Sequence, residues 1–121
     1  MASGPFFQRR ATPIGIQLYT LSDMLAANLE GAISGVAKIG YKTVEIPSYM
    51  GKTPTRLREV FDRHGIKCTG AHIGMNPGTE AAPGLRGNLD KLAADMHVLG
   101  VTHVYAPSMA IPTDIGLSPN P

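Results

Sequence analysis

Ile39-Gly40-Tyr41-Lys42, His64-Gly65-Ile66-Lys67 and Leu99-Gly100-Val101-Thr102 share one layout. Each ends a stretch of helical periodicity on a glycine and opens a strand-like run almost at once. Upstream of the first glycine, Leu29, Ala32, Ile33, Val36 and Ala37 mark one buried stripe over Asn28–Ile39. Leu57, Val60, Phe61 and His64 do the same over Pro54–His64, and Leu89, Leu92, Ala93 and Met96 over Leu89–Leu99. This is the i, i+3, i+4, i+7 spacing of amphipathic helices. Asn28, Thr53 and Asn88 stand where N-caps belong, and Pro54 suits a first helical turn.

Between the helices lie Ile14–Tyr19, Tyr41–Ile46, Lys67–Ile73 and Val101–Ala106, all with strand character. Strands alternating with helices of this length predict βαβ units and a parallel sheet. The helix-to-strand links are one to three residues long. The strand-to-helix links Thr20–Ala27, Pro47–Thr53 and Gly74–Gly87 are longer, and the last is too rich in Gly and Pro to suggest regular structure. Short links at one end and long ones at the other describe parallel (β/α) units of a TIM barrel, with its site at the long-link end. Four strands and three helices make about half a barrel, since a whole one takes about 250 residues. The expected organisation is an N-terminal tail at 1–13, a half (β/α) barrel at 14–107 and a Pro-rich C-terminal tail at 108–121. An open doubly wound sheet would need helices on both faces and a fifth strand, and the residues after Pro107 offer neither.

Composition narrows the function. The chain has 121 residues, 43% hydrophobic and 17% charged, which suits one core-forming domain. Its net charge of +2, with Lys and Arg scattered, gives no case for nucleic acid. No apolar run is long enough for a membrane span, and no apolar leader follows Arg9-Arg10, so a cytoplasmic location is expected. A single cysteine, Cys68, excludes an intrachain disulfide and a Cys-based zinc site. Neither nucleotide-binding glycine signature is present, nor H-E-x-x-H, G-x-S-x-G or C-x-x-C.

Strand alternation supplies the candidate site. Counted from each helix-ending glycine, Val44, Ile46, Thr69, Ala71, Ile73, Val104 and Ala106 share the face expected under the helices. Thr43, Glu45, Cys68, Gly70, His72, His103 and Tyr105 share the other. In the first strand Gln17 and Tyr19 lie opposite Ile16 and Leu18. Glu45, His72, Tyr19 and Tyr105 are therefore expected to converge on a lumen. A carboxylate inside a strand run calls for a partner or a function, and His72 precedes the longest link. Structural roles are expected for His64, His97 and His103, and a buried, inert thiol for Cys68.

Ile14-Gly15-Ile16-Gln17-Leu18-Tyr19-Thr20, the block Ala37–Glu45 and Gly70-Ala71-His72 give the sequence a resemblance to the xylose-isomerase-like sugar phosphate isomerase/epimerase superfamily over about residues 14–107. The resemblance implies a TIM barrel that binds a divalent metal, Mn, Mg, Co or Zn, and moves a proton next to the carbonyl of a small sugar or sugar phosphate. It implies that the main metal ligands and catalytic carboxylates belong to later strands, so no catalytic residue is assigned here. Substrate-binding positions are Gln17, Tyr19, Glu45, His72 and Tyr105, and His72 is also a metal-ligand candidate. The chain is then expected to be the N-terminal half of such a barrel, inactive alone. The alternative is a non-catalytic half-barrel that binds a small ligand in its lumen or self-associates through the unpaired edges of its first and fourth strands. A phosphodiesterase of the endonuclease IV type is disfavoured by the weak basic balance and too few histidines.

Overall fold

Four parallel strands lie side by side in sequence order in a computed structural model that describes residues 12–108. They are β1 (Gly15–Gln17), β2 (Thr43–Ile46), β3 (Lys67–His72) and β4 (His103–Tyr105). Between them run α1 (Ser22–Ala27), α2 (Leu29–Ile39), α3 (Pro54–Arg63) and α4 (Leu89–Leu99). The parallel α/β order follows the sequence reading, and the three long helices fall where their stripes place them. The 1–11 and 109–121 parts of the expected tails lie outside the described residues. Among the described residues, no helix is long and apolar enough to cross a membrane.

The helix ends are chemically fixed. Asn28 Oδ1 accepts from Gly31 N at 2.9 Å, Thr53 Oγ1 from Arg56 N at 3.1 Å and Asn88 Oδ1 from Lys91 N at 3.0 Å. Each cap satisfies a first-turn amide that has no partner within its helix. At the other ends, Gly40 and Gly100 adopt φ of 114° and 75°, a left-handed turn that releases the chain into the next strand.

The helices cover one face of the sheet. Val44, Ile46 and Ala71 from the strands, with Ile73 just past β3, meet Ile33, Val36, Leu57, Val60, Phe61, Leu92 and Leu99 from the helices, all buried. Glu30 of α2 ties that helix to the end of α3. Its carboxylate accepts from Arg63 at 2.6 Å and lies 2.8 Å from His64 Nε2, so His64 has the structural role expected of it.

Two features depart from the sequence reading. The first strand ends at Gln17 rather than Tyr19, and a 3-10 turn (Leu18–Leu21) and the extra helix α1 occupy the expected Thr20–Ala27 link. Gln17 starts that turn by capping it, its side-chain oxygen accepting from Tyr19 N. The second departure is in β3. Val44 pairs with Cys68 but Glu45 pairs with Gly70, so Thr69 is the extra residue of a β-bulge. Cys68 therefore shares Val44's face and is 3% exposed in the core, not on the polar face. Beyond the bulge, Gly70 and His72 have the expected orientation.

Candidate functional site

The pleat of β2 puts Val44 and Ile46 under the helices at 0% exposure, which leaves Glu45 on the open face. Gly70 stands beside it in register, and His103 stands beside Gly70 on β4. A methyl group on Gly70 would lie 2.9 Å from Glu45 Cγ and 2.9 Å from Tyr105 Cε2. The glycine is thus the gap that lets the Glu45 and Tyr105 side chains lean together over the sheet.

One residue pair further along, His72 Nε2 lies 3.3 Å from Glu45 Oε2. Both side chains are about one-third exposed, so the carboxylate–imidazole pair is sheltered yet open to a ligand. The Tyr105 ring sits 5.5 Å from the imidazole at a 56° tilt, and the His103 ring lies nearly parallel to Tyr105 at 6.3 Å. Such tilted rings are a favourable aromatic arrangement. His103 also lies 2.8 Å from the Thr102 hydroxyl, which donates to the bulge carbonyl of Thr69.

Of the five expected substrate residues, the structure gathers Glu45, His72 and Tyr105. Gln17 pairs in register with Glu45, but its side-chain oxygen is committed to the 3-10 cap. Tyr19 does not converge. It belongs to the turn rather than the strand and is 71% exposed.

A cleft of about 490 Å³ opens beyond the strand ends, between the Pro47–Thr53 and Gly74–Gly87 links, with His72 on its wall. Ser48, Tyr49, Asn76, Arg86 and Ser108 also face it. The Gly74–Gly87 link is better ordered than its composition suggests. Leu85 N donates to Gly74 O at 2.8 Å, Arg86 N to Met75 O at 3.2 Å and Gly84 N to Pro77 O at 3.2 Å, so the returning arm is bonded to the outgoing one. Gly84 crosses Asn76 so closely that an added Cβ would overlap its carbonyl oxygen, at 1.3 Å. Only glycine permits that crossing.

The other wall is backed by a buried polar network. The Tyr49 hydroxyl donates to Asp95 Oδ2 at 2.8 Å, and Lys91 Nζ donates to both oxygens of Asp95 at 3.1 and 3.0 Å. Burial, and then the Asp95 carboxylate, hold the Tyr49 hydroxyl well above the ordinary tyrosine range, so it remains a donor. Burial likewise pushes the Cys68 thiol up to about 12, consistent with the expected inert role.

Sequence reasoning missed Tyr49, Asp95, Arg86 and the spacing role of Gly70. The available signals were a carboxylate inside the α4 stripe, between Leu92 and Met96, and a glycine interrupting a strand. The expected metal fares differently. Glu45 and His72 are two donors, and among the described residues no group of three His, Cys, Asp or Glu side chains comes together to hold an ion. These residues do not by themselves complete a divalent site.

No protein-family model matches the sequence, and no curated protein does. The architecture does have a match among solved structures. A sugar phosphate isomerase/epimerase from Parabacteroides distasonis superposes with a TM-score of 0.64 at 18% identity, over 83% of this chain. The fold is that of a partial (β/α) barrel. The chain spans 40% of that protein's length. In this chain Glu45 and His72 lie at the C-terminal ends of the parallel strands β2 and β3.

Proposed function

We propose that the protein belongs to isomerase or epimerase chemistry on a small sugar or keto-sugar, its phosphate included, and that the cleft at the strand ends holds that substrate. The observation that carries this reading is the Glu45–His72 pair, 3.3 Å apart on the open face beside the cleft. A carboxylate accepts from sugar hydroxyls, and an imidazole can donate to or accept from a carbonyl or hydroxyl, the groups that flank the carbon losing its proton. A cleft of this size fits a small metabolite. The sequence resemblance and the barrel likeness support the reaction class, and a cytoplasmic location accompanies it. The implied divalent metal would take Glu45 and His72 only with further donors, so no step is routed through it. Proton transfer is assigned to the complete barrel, and substrate positioning to the residues described here.

The test uses the whole 121-residue chain. Ketoses titrated against it are expected to shift the backbone NMR signals of His72, Gly74 and Tyr105, and Glu45→Gln and His72→Ala should each weaken binding about tenfold. Wild-type affinity in both variants would remove the site assignment. Deuterium uptake next to the ketose carbonyl in heavy water separates catalysis from binding alone.

Self-association is a second reading, favoured by the sheet edges. All three residues of β4 are exposed, and Leu89, Leu92, Met96 and Val104 line an apolar groove beside that edge. A second copy could pair β1 with β4 in parallel and cover the groove. Light scattering would then give a discrete mass near twice 12.8 kDa. A concentration-independent monomer mass would overturn it.

A further inference from the structure

We propose that two copies of the chain close into one eight-stranded barrel, β4 of each pairing in parallel with β1 of the other, and that Tyr19 of the second copy completes the site around Glu45, His72 and Tyr105. The inference rests on the cleft and self-association readings and adds what the second copy contributes to the site.

The four strands superpose on part of a closed (β/α) barrel, so the sheet carries barrel curvature. Such a barrel takes eight parallel strands, and a two-fold axis along it turns one four-stranded sheet into the other half with every strand still parallel. At both seams β4 then meets β1 of the other copy. Neither edge is defended. β1 reads Gly15-Ile16-Gln17 and β4 reads His103-Val104-Tyr105, with none of the lysines, prolines or inward charges that blunt an exposed edge. Six of the eight large hydrophobic side chains exposed among the described residues lie on the two stretches that carry these edges. They are Ile14, Tyr19 and Met24 around β1 and α1, and Leu89, Val104 and Tyr105 on α4 and β4.

Tyr19 is the residue that closure brings to the site. It stands just past the end of β1, and its backbone is pinned there. The Gln17 side-chain oxygen accepts from Tyr19 N, and the Ser22 hydroxyl donates to Tyr19 O. The side chain is nevertheless 71% exposed. Tyr105 ends β4 next to His72, and the cleft runs on to Ser108, beyond the end of that strand. Adjacent strands lie about 4.8 Å apart, so the end of β1 in the second copy, with its Tyr19, stands beside Tyr105 and that side of the cleft. Within one chain β2 and β3 intervene, about 14 Å of sheet, and the two tyrosines stand apart. A tyrosine across the seam offers a sugar an apolar ring face and a hydroxyl, while Glu45 and His72 take the sugar's own hydroxyls.

The test combines light scattering of the full chain with fructose titrations followed by NMR at His72 and Gly74. The wild type is expected to be a discrete dimer. Val104→Lys, which sets a charge on the β4 edge, should give the monomer mass and weaken fructose binding about fivefold, and Tyr19→Ala should weaken it equally as a dimer. Mixing shows whether Tyr19 acts across the seam. Dimers of one Tyr19→Ala chain and one His72→Ala chain hold one site with both residues intact, so an equimolar mixture should regain wild-type affinity in about a quarter of its sites. No recovery in a mixture whose chains have exchanged, or wild-type binding by Tyr19→Ala, overturns the shared site and leaves self-association standing. A monomer mass at every concentration, or an open series of masses, overturns the closure itself. If fructose leaves the wild-type signals unmoved, the cleft reading falls and the seam is tested without ligand. Chains carrying Tyr19→Cys and Tyr105→Cys, treated with a short bismaleimide, should then run as covalent dimers on a denaturing gel, and monomers alone would overturn the seam.

Discussion

Replacing Tyr49 by phenylalanine tests whether the buried polar network fastens the Pro47–Thr53 link to α4. Tyr49 is 1% exposed, and its hydroxyl lies 2.8 Å from a carboxylate that is itself largely buried. The substitution keeps the ring and removes only that bond. A hydrogen bond to a charged acceptor contributes about 1.5–3 kcal/mol. Asp95 retains both contacts from Lys91, so no charge is stranded and the loss belongs in the lower half of that range, about 1.5–2 kcal/mol. For a domain of this size that lowers Tm by roughly 6–16 °C. Urea unfolding followed by circular dichroism measures the loss, and a double-mutant cycle with Asp95→Asn should return a coupling of about 1 kcal/mol. Alkaline pH adds a second readout. Above pH 10, its ordinary value, Tyr49 ionises in the unfolded chain while the native residue holds its proton. Stability must therefore fall as pH rises past that point, and the phenylalanine variant should lose this component of the decline. A variant within about 0.5 kcal/mol of wild type, the scatter expected of a surface substitution, would refute the network's role.

Three further outcomes are expected. Gly70→Ala drives a methyl group against Glu45 and Tyr105, both partly exposed and able to swing away, so stability should drop by only about 1 kcal/mol while ketose binding is lost; unchanged binding in titrations would contradict the spacing argument. Arg63 and His64 hold the Glu30 carboxyl below its ordinary 4.5, so stability present above that pH should decline as pH falls through 4.5 toward the native value. Glu30→Gln should flatten that acid limb in urea midpoints measured from pH 6 to 3, and an unchanged limb would show the contact to be inert. Native Cys68 should resist a thiol reagent at pH 8 and react on unfolding, whereas reaction at the rate of a free thiol in the folded protein would overturn its burial.

The fold was legible because its signals are local. Asn28, Thr53 and Asn88 cap helices whatever surrounds them, and Gly40 and Gly100 turn out of helices for reasons of backbone sterics alone. α1 escaped notice because it is six residues long and its N-cap residue, Leu21, makes no side-chain cap. The site was half legible. Glu45 and His72 could be placed by alternation, since the departures from an equal register cancel by the time β3 reaches Gly70. Cys68 lies before that cancellation and was put on the wrong face. Tyr19 was misplaced because Gln17, read as a lumen residue, instead folds back to end the strand. Arg86 depends on two arms of a link crossing at Gly84, a contact that no periodicity encodes.

The single extra residue at Thr69 works as a phase change in β3. Upstream of it one set of side chains points inward, and downstream the opposite parity does. Taking Thr69 into a regular ladder would force the strand to keep one phase throughout, so that either the core loses Cys68 or His72 changes places with Ile73, whereas deleting Thr69 would leave both in place. Which side chains reach the ligand side is thus determined by a count of residues as much as by their chemistry. A comparison with any distant barrel that matches residue types across this point without allowing for the insertion would pair His72 with a residue on the wrong side of the sheet.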